Sequence, residues 1–257
     1  MAALVLLEEL TWPEIAAVVD GGEALCLLPV GAIEQHGRHL PTVTDTTIAT
    51  AICRAASERT GVPILTTLAI SSSHAHTMRW PGTLSLPPRL AIEVVVELAR
   101  WVHGSGFTRL LIVNAHGGNV GMLRVAVEEI RLAADLQVGV VHWFTITPDV
   151  QAAVERDCLD WHANAAETAL MLHLRPDLVR LDEIRDDADR TRDLVFSYTV
   201  ELTSTDGLTG APSTASAEEG ARLFDAIVTA LAARIETARR EEPPLERIVT
   251  SLHVEHP

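Results

Sequence analysis

The sequence predicts an α/β fold, with a mostly parallel sheet covered by helices on both faces. Three observations carry that prediction: short apolar segments that read as buried strands, segments of helical periodicity between them, and polar, glycine-containing loops where the strands end. The first strand is predicted over 24–31, where Ala24-Leu-Cys-Leu-Leu-Pro-Val-Gly31 closes on glycine. A helix follows over 46–59, with Ala49, Ile52, Cys53 and Ala56 at helical spacing, and a second strand over 62–70. Leu90, Val94, Leu98 and Trp101 give the segment 89–104 a strong 3.6-residue period that stops at Gly104. A third strand over 108–114, a helix over 120–134 and a fourth strand over 138–146 repeat the alternation. The apolar segment 168–174 predicts a further helix, ended by Arg175-Pro176. The charge-rich stretch 182–193 reads as a solvated surface, and 206–212 as a turn-rich loop. Ser216 then caps a helix through Leu223, Ile227, Leu231 and Ile235, with Glu218 and Glu219 where the helix dipole favours anions. No repeat or linker interrupts the series. It reads as a single domain over 1–238, followed by a polar, proline-containing C-terminal extension over 239–257.

Composition removes several chemistries. The chain has 257 residues and a formal net charge of −15, and all 20 of its basic residues are arginine. Without lysine there is no Schiff base to a carbonyl substrate, no Walker-type phosphate loop, no kinase strand lysine and no S-x-x-K acylation motif. The acidic balance disfavours nucleic acid, whose binding needs a basic patch. Cys26, Cys53 and Cys158 are odd in number and include no C-x-x-C pair, and Cys26 and Cys53, in apolar runs, read as small buried hydrophobes. The N-terminal segment lacks a basic n-region and is broken early by Glu8 and Glu9, unlike a signal peptide, and no apolar stretch reaches the length of a membrane span. A cytoplasmic setting is the expectation.

Candidate chemistry gathers where strands end, the place at which open parallel sheets bind ligands. After the first strand come Glu34 and His36, two residues apart and so on one side of an extended backbone, with Asp45 a short loop later. Oxygen and nitrogen donors without thiolate suit zinc, manganese or iron. After the third strand comes Val113-Asn114-Ala-His116-Gly117-Gly118-Asn119, whose glycines permit close approach to a ligand and whose following helix turns its N-terminal amides to the same crevice. A single histidine at a strand end is more often structural, and Glu167, opening an apolar helix beside His162, could simply complement the helix dipole. Two acid/histidine clusters closing two separate buried strands are much harder to dismiss. The loop carrying His74, His76, Arg79 and Trp80 reads as substrate-facing.

These segments resemble the creatininase family of metal-dependent amidohydrolases. The matching pieces are Gly31-Ala-Ile-Glu34-Gln-His36-Gly with Leu40-Pro41 and Asp45, Trp80-Pro-Gly-Thr83-Leu-Ser-Leu, Val113 to Asn119, His162-Ala with Glu167-Thr168, and the stretch from Gly210 to Gly220. They fall in the family's order across nearly the whole chain. The resemblance implies a three-layer α/β/α sandwich, assembled as a homohexamer, with two divalent metal ions (zinc, manganese or iron) in each subunit. Carried over by residue, it implies that Asp45 bridges the ions, that Glu34 and His116 complete one site, and that His36 belongs to the other. Creatininase itself places a glutamate two residues after the histidine that matches His116. Here that position is Gly118, so the chain follows the His-Gly-Gly-Asn branch, and Glu167 becomes the expected remaining ligand. That branch includes formamide hydrolases of flavin and deazaflavin synthesis and the mycofactocin precursor peptidase. Arg38 and Asn164 depart from the family's usual proline and glycine, in loops where substrate choice is made.

The function expected is hydrolysis of a non-peptide C–N bond in a cyclic or small linear amide, a small-molecule substrate, by a metal-activated water. His162, with Glu167 beside it, is expected to serve catalysis by carrying a proton to the leaving nitrogen. Asn114, Asn119 and the amides of Gly117 and Gly118 are expected to orient the substrate or its oxyanion. His74, His76 and Trp80 are expected to contact substrate, and Arg38 and Arg79 to grip an acidic group on it. The rivals are a peptidase acting on a short precursor peptide and a catalytically silent ligand-binding relative. The intact ligand set opposes the silent reading, since a silent protein has no physical need of all five groups.

Overall fold

The computed structural model describes residues 2–76, 78–133 and 135–245. Along them run β1 (Val5–Leu6), α1 (Trp12–Asp20), β2 (Leu25–Val30), α2 (Thr44–Thr60), β3 (Pro63–Ile64), α3 (Pro88–Gly104), β4 (Arg109–Asn114), α4 (Asn119–Ala133) and β5 (Gln137–His142). After these come α5 (Pro148–Val154), α6 (Ala165–Leu174), α7 (Val200–Thr203) and α8 (Ala217–Ala238). All strand pairs are parallel, in the order β1-β3-β2-β4-β5, so β2 and β4 lie in the interior of the sheet. Among the described residues no helix is long and apolar enough to cross a membrane.

The strands read as continuous apolar runs because both faces are covered. On β2 and β4, Leu25, Leu27, Leu111 and Val113 face a layer built on α2, α6 and α8, through Ile48, Ile52, Leu170, Ile227 and Leu231. Cys26, Leu28, Val30, Leu110 and Ile112 face the opposite layer, with Val95 and Ala99 of α3 and Leu123 and Ala126 of α4. The three-layer sandwich is thus the period-2 alternation of two central strands, each face meeting its own helical layer. All three cysteines are buried and free.

The structure corrects several boundaries. The strand expected over 62–70 pairs continuously only at Pro63–Ile64 and returns at Leu68, whose N–H donates to the carbonyl of Pro29 at 2.9 Å. The strand expected to reach Ile146 ends at His142, and Trp143–Thr145 turns into a 3-10 helix that buries Trp143 and Phe144. Helix α6 begins one turn before the expected start, because Asn164 caps it by accepting from Ala166 N and Glu167 N. Within the stretch expected to be solvated, Asp187 is buried and accepts from Ser204 Oγ at 2.9 Å, Thr205 N at 2.8 Å and Arg190 at 2.6 Å. It thereby ties that segment to the 204–210 loop. Residues 246–257, most of the expected C-terminal extension, lie outside the described residues.

Two features of the strand ends position the site. Gly31 brings β2 against the first turn of α2: a Cβ there would lie 2.5 Å from Thr46 Cα, so only glycine admits Asp45 this close to the strand end. Asn114, the last residue of β4, is wholly buried and folds the following loop by accepting from His116 N at 3.2 Å and donating to His116 O at 2.8 Å.

Candidate metal centre

Glu34, His36, Asp45, His116 and Glu167 converge in one buried cluster, each no more than 5% exposed. The loop after β2 brings Glu34 and His36, α2 brings Asp45, the loop after β4 brings His116, and the first turn of α6 brings Glu167. His116 Nδ1 lies 3.1 Å from Glu34 Oε1 and 3.2 Å from Asp45 Oδ2. On the other side of Asp45, His36 Nε2 lies 3.1 Å from Asp45 Oδ1 and 3.8 Å from Glu167 Oε1. Two groups of three donors therefore share Asp45: Glu34, Asp45 and His116, and His36, Asp45 and Glu167. A third group, Glu34, His36 and His162, lies beside them.

Hydrogen bonds outside the cluster set which ring nitrogen faces in. A backbone carbonyl can only accept, so His36 Nδ1 donates to Glu34 O at 3.0 Å and His116 Nε2 donates to Ser72 O at 3.1 Å. His162 Nε2 likewise donates to Gln35 O at 2.7 Å. Each neutral ring then turns its bare nitrogen to the carboxylates, the arrangement in which a second-shell carbonyl orients a metal-binding imidazole. Glu34 Oε1, Glu34 Oε2 and Asp45 Oδ2 are buried with no hydrogen-bond partner. Bare nitrogens and unpartnered carboxylate oxygens aimed at common points fit divalent cations, because lone pairs this close repel unless a positive charge stands between them. The donor set, three carboxylates with imidazoles and no thiolate, suits zinc, manganese or iron.

Protonation shows the same demand for positive charge. Burial opposes a charge on His116, but Glu34 and Asp45 outweigh it and push its pKa up to about 10. His36 is raised against burial by Asp45 and Glu167, and Asp45 is held below the carboxylate range, against burial, by His36 and His116. Burial, with Asp45 and Glu34 nearby, raises Glu167 despite its contact with His36. His162 is different: burial, reinforced by His76 and His36, holds it well below the ordinary imidazole value and keeps it neutral. Glu167 Oε2 is pinned at 2.7 Å by the N–H of Ala163, a non-glycine residue held at φ +50°.

The cluster floors a cleft of about 570 Å³. Glu34, His76, His116, His162 and Glu167 reach its surface, with the Gly117–Gly118 backbone and the exposed His74 at its edge. Trp161, Phe144, Leu159 and Tyr198 form its apolar walls, whereas Trp143 belongs to the core and Trp80 is not in the lining.

Besides Trp80, four of the expected substrate contacts are placed elsewhere. Asn114 is fully used within the fold, bonding His116 and, through Nδ2, His142 Nδ1 at 3.0 Å. Asn119 is buried and bonds Gly31 O, Asn114 Oδ1 and Ser72 N. Both asparagines brace the His116 loop. Arg79 donates to Glu201 O at 3.0 Å and stacks on Trp80 at 5.0 Å, away from the cleft wall. Arg38 is exposed and paired with Glu183 at 3.2 Å and Asp206 at 3.4 Å. Among the described residues no arginine is in the cleft lining, so neither side chain offered for an acidic group stands there. Sequence reasoning missed Gln35, which carried the signal of standing between Glu34 and His36, and it missed Ser72 and Ser73 beneath His116.

Comparisons with known proteins give the chain's family. The creatininase family model, described as creatinine amidohydrolase, matches residues 8–235. Creatinine amidohydrolase of Pseudomonas putida is 32% identical over 95% of this chain and 100% of its own length. Mycofactocin precursor peptide peptidase of Mycolicibacterium smegmatis is 34% identical over 88% of this chain and 89% of its own length. Among solved structures, a manganese creatininase and a creatininase variant of zinc–zinc type each superpose with a TM-score of 0.80 at 30% identity, covering 93% of this chain and 100% of theirs.

Proposed function

The chain belongs to the creatininase family, and from that premise we propose that it is a metal-dependent amidohydrolase cleaving a non-peptide C–N bond in a cyclic or small linear amide. The observation that carries the proposal is the pair of buried donor groups sharing Asp45. Asp45 would bridge two divalent ions, with Glu34 and His116 completing one site and His36 and Glu167 the other. Manganese and zinc, the metals of the related structures, are the ions proposed, and the donors also accept iron. When bound, the ions supply Lewis acidity at the amide carbonyl and a water acidified toward neutrality.

The chain's own residues supply the rest. His162 is neutral, and its Nε2–H is committed to Gln35 O, so Nδ1 is the atom that accepts a proton as water adds to the carbonyl carbon. The same Nδ1–H then donates to the leaving nitrogen, leaving the imidazole as it began. The Gly117–Gly118 backbone lines the cleft where a carbonyl oxygen would develop charge. Trp161 and Phe144 give the cleft apolar lining.

The test is metal content measured together with hydrolysis across cyclic amides, formamides and short peptides. Wild-type protein is expected to hold two ions per subunit and to release product, and Asp45→Ala to lose both properties. Retention of both by Asp45→Ala contradicts the proposal. A peptidase reading is favoured by one observation, a cleft of about 570 Å³ with aromatic walls, roomier than a small ring requires. Cleavage of short peptides, with no turnover of cyclic amides or formamides, would select it. We further infer a homo-oligomer, supported by the exposed Val195, Phe196 and Leu202 and tested by light scattering. A cytoplasmic setting is supported by the three free thiols.

A further inference from the structure

Gln35 occupies the centre of the site without being one of its donors. It is 4% exposed, and its side chain joins the loop after β2 to two others. Its Oε1 accepts from Gly37 N at 3.0 Å, and its Nε2 donates to Gly207 O at 2.7 Å. A backbone N–H can only donate and a backbone carbonyl can only accept, so these two bonds force the orientation of the amide. One hydrogen on Nε2 remains. His162 Nε2, at 3.3 Å, cannot take it, because that nitrogen already carries the hydrogen given to the Gln35 carbonyl at 2.7 Å. His76 Nδ1, at 3.0 Å, can.

We propose that Gln35 is a positioning residue that locks His76 in its Nε2–H tautomer, turning an N–H toward Glu34 beside the bare nitrogen of His162. His76 Nε2 stands 3.3 Å from Glu34 Oε2, an oxygen with no other hydrogen-bond partner, and His162 Nδ1 stands 3.6 Å from Glu34 Oε1. The two rings are 4.2 Å apart between centroids. Neighbouring imidazoles thus offer one carboxylate a donor on one oxygen and a lone pair near the other. The opposite tautomer of His76 would set a hydrogen against the amide N–H of Gln35 and a lone pair against Glu34 Oε2, two repulsions in a buried space. Gly207 keeps the lock in register, since a Cβ there would lie 2.2 Å from Gln35 Oε1. With Oε2 held by His76, Glu34 is left to ligate through Oε1 alone. Only that consequence rests on the hydrolase reading; the tautomer does not.

Solid-state ¹⁵N NMR of protein labelled at histidine, with and without zinc, reads the tautomers directly, with signals assigned through His76→Gln and His162→Gln. In wild-type protein Nδ1 of both rings is expected to be pyridine-type, without hydrogen. Gln35→Glu has no hydrogen to give His76 and is expected to move its proton to Nδ1. Gln35→Leu is expected to leave His76 as a mixture. His162, held by a backbone carbonyl, stays unchanged in both, a separation that general loosening of the fold would not produce. Zinc affinity is expected to fall about 10- to 100-fold in both variants, the range for loss of an outer-shell partner. A hydrogen on His76 Nδ1 in wild-type protein overturns the proposal, as does a His76 tautomer indifferent to Gln35→Glu. Should Gln35→Leu fail to fold, the wild-type spectrum and the isosteric Gln35→Glu still decide. Correct tautomers in a protein that takes up no zinc would uphold the lock and remove the hydrolase reading.

Discussion

His39 Nε2 and Thr168 Oγ1 meet at 2.8 Å in a fully buried contact that ties the loop after β2 to helix α6. The two partners adjoin metal-site residues on different elements: His39 follows His36 by three residues, and Thr168 follows Glu167 directly. The other ring nitrogen, Nδ1, is buried without a partner. A neutral imidazole is what this place accepts, and burial, reinforced by the charge on His36, pushes the pKa of His39 down to about 4.

That depression gives the fold an acid limit. Unfolded, His39 takes up a proton near its ordinary 6.5, whereas the folded protein resists until about 4. Its contribution is therefore present above pH 6.5 and is lost as pH falls toward 4, by roughly 3 kcal/mol in all. Denaturant unfolding of His39→Gln, compared with wild type between pH 7 and 4, should show a shallower decline in stability. Equal slopes would place the acid sensitivity elsewhere.

His116 works in the opposite direction. In metal-free protein its pKa of about 10 lies above the unfolded value, so its stabilisation is complete below pH 6.5 and is lost as pH rises through 10. A bound cation replaces that proton. The difference in Tm between metal-loaded and chelated protein should accordingly widen from pH 7 to pH 10. A constant difference would mean that protons and metal do not compete for His116.

Gly118 fixes the space beside the same ring. A Cβ at that position would come within 2.4 Å of His116 Nε2 and 3.0 Å of Ser72 O, displacing the bond that orients the imidazole. Gly118→Ala is expected to lower bound metal from two ions per subunit toward one while leaving the fold intact. Elemental analysis with circular dichroism checks both halves.

Asn164 carries more than its cap. Besides accepting from Ala166 N and Glu167 N, it donates to Val154 O and to Asp157 Oδ1, each at 2.8 Å. Asn164→Ala should cost about 1 kcal/mol for the cap and about 1–3 kcal/mol more for the buried acceptors left behind. Urea unfolding measures the sum, and a loss below about 0.5 kcal/mol, the low end for a cap alone, would contradict the role given to it.

The central architecture was legible because burial on both faces writes itself into β2 and β4 as unbroken apolar runs. The donor residues were legible because Glu34, His36, Asp45 and His116 stand at or just after strand ends. Helices α1 and α5 were overlooked although Thr11 with Glu14 forms a capping box and Thr147-Pro148 opens a helix. At nine and seven residues they are too short to show a clear helical period. Tertiary placement was not legible: nothing local distinguishes the buried Asp187 from its solvated neighbours, or shows that Asn114 and Asn119 spend their amides on the backbone. Arg38 and Arg79 were misplaced for the same reason, since their partners, Asp206 and the Glu201 carbonyl, lie more than 100 residues away.

Anomalous diffraction from crystals grown with manganese tests the two-site account most directly. Two peaks are predicted in each subunit, one ligated by Glu34, Asp45 and His116 and the other by His36, Asp45 and Glu167, with Asp45 between them. A single peak, or a second peak that does not touch Asp45, would contradict it.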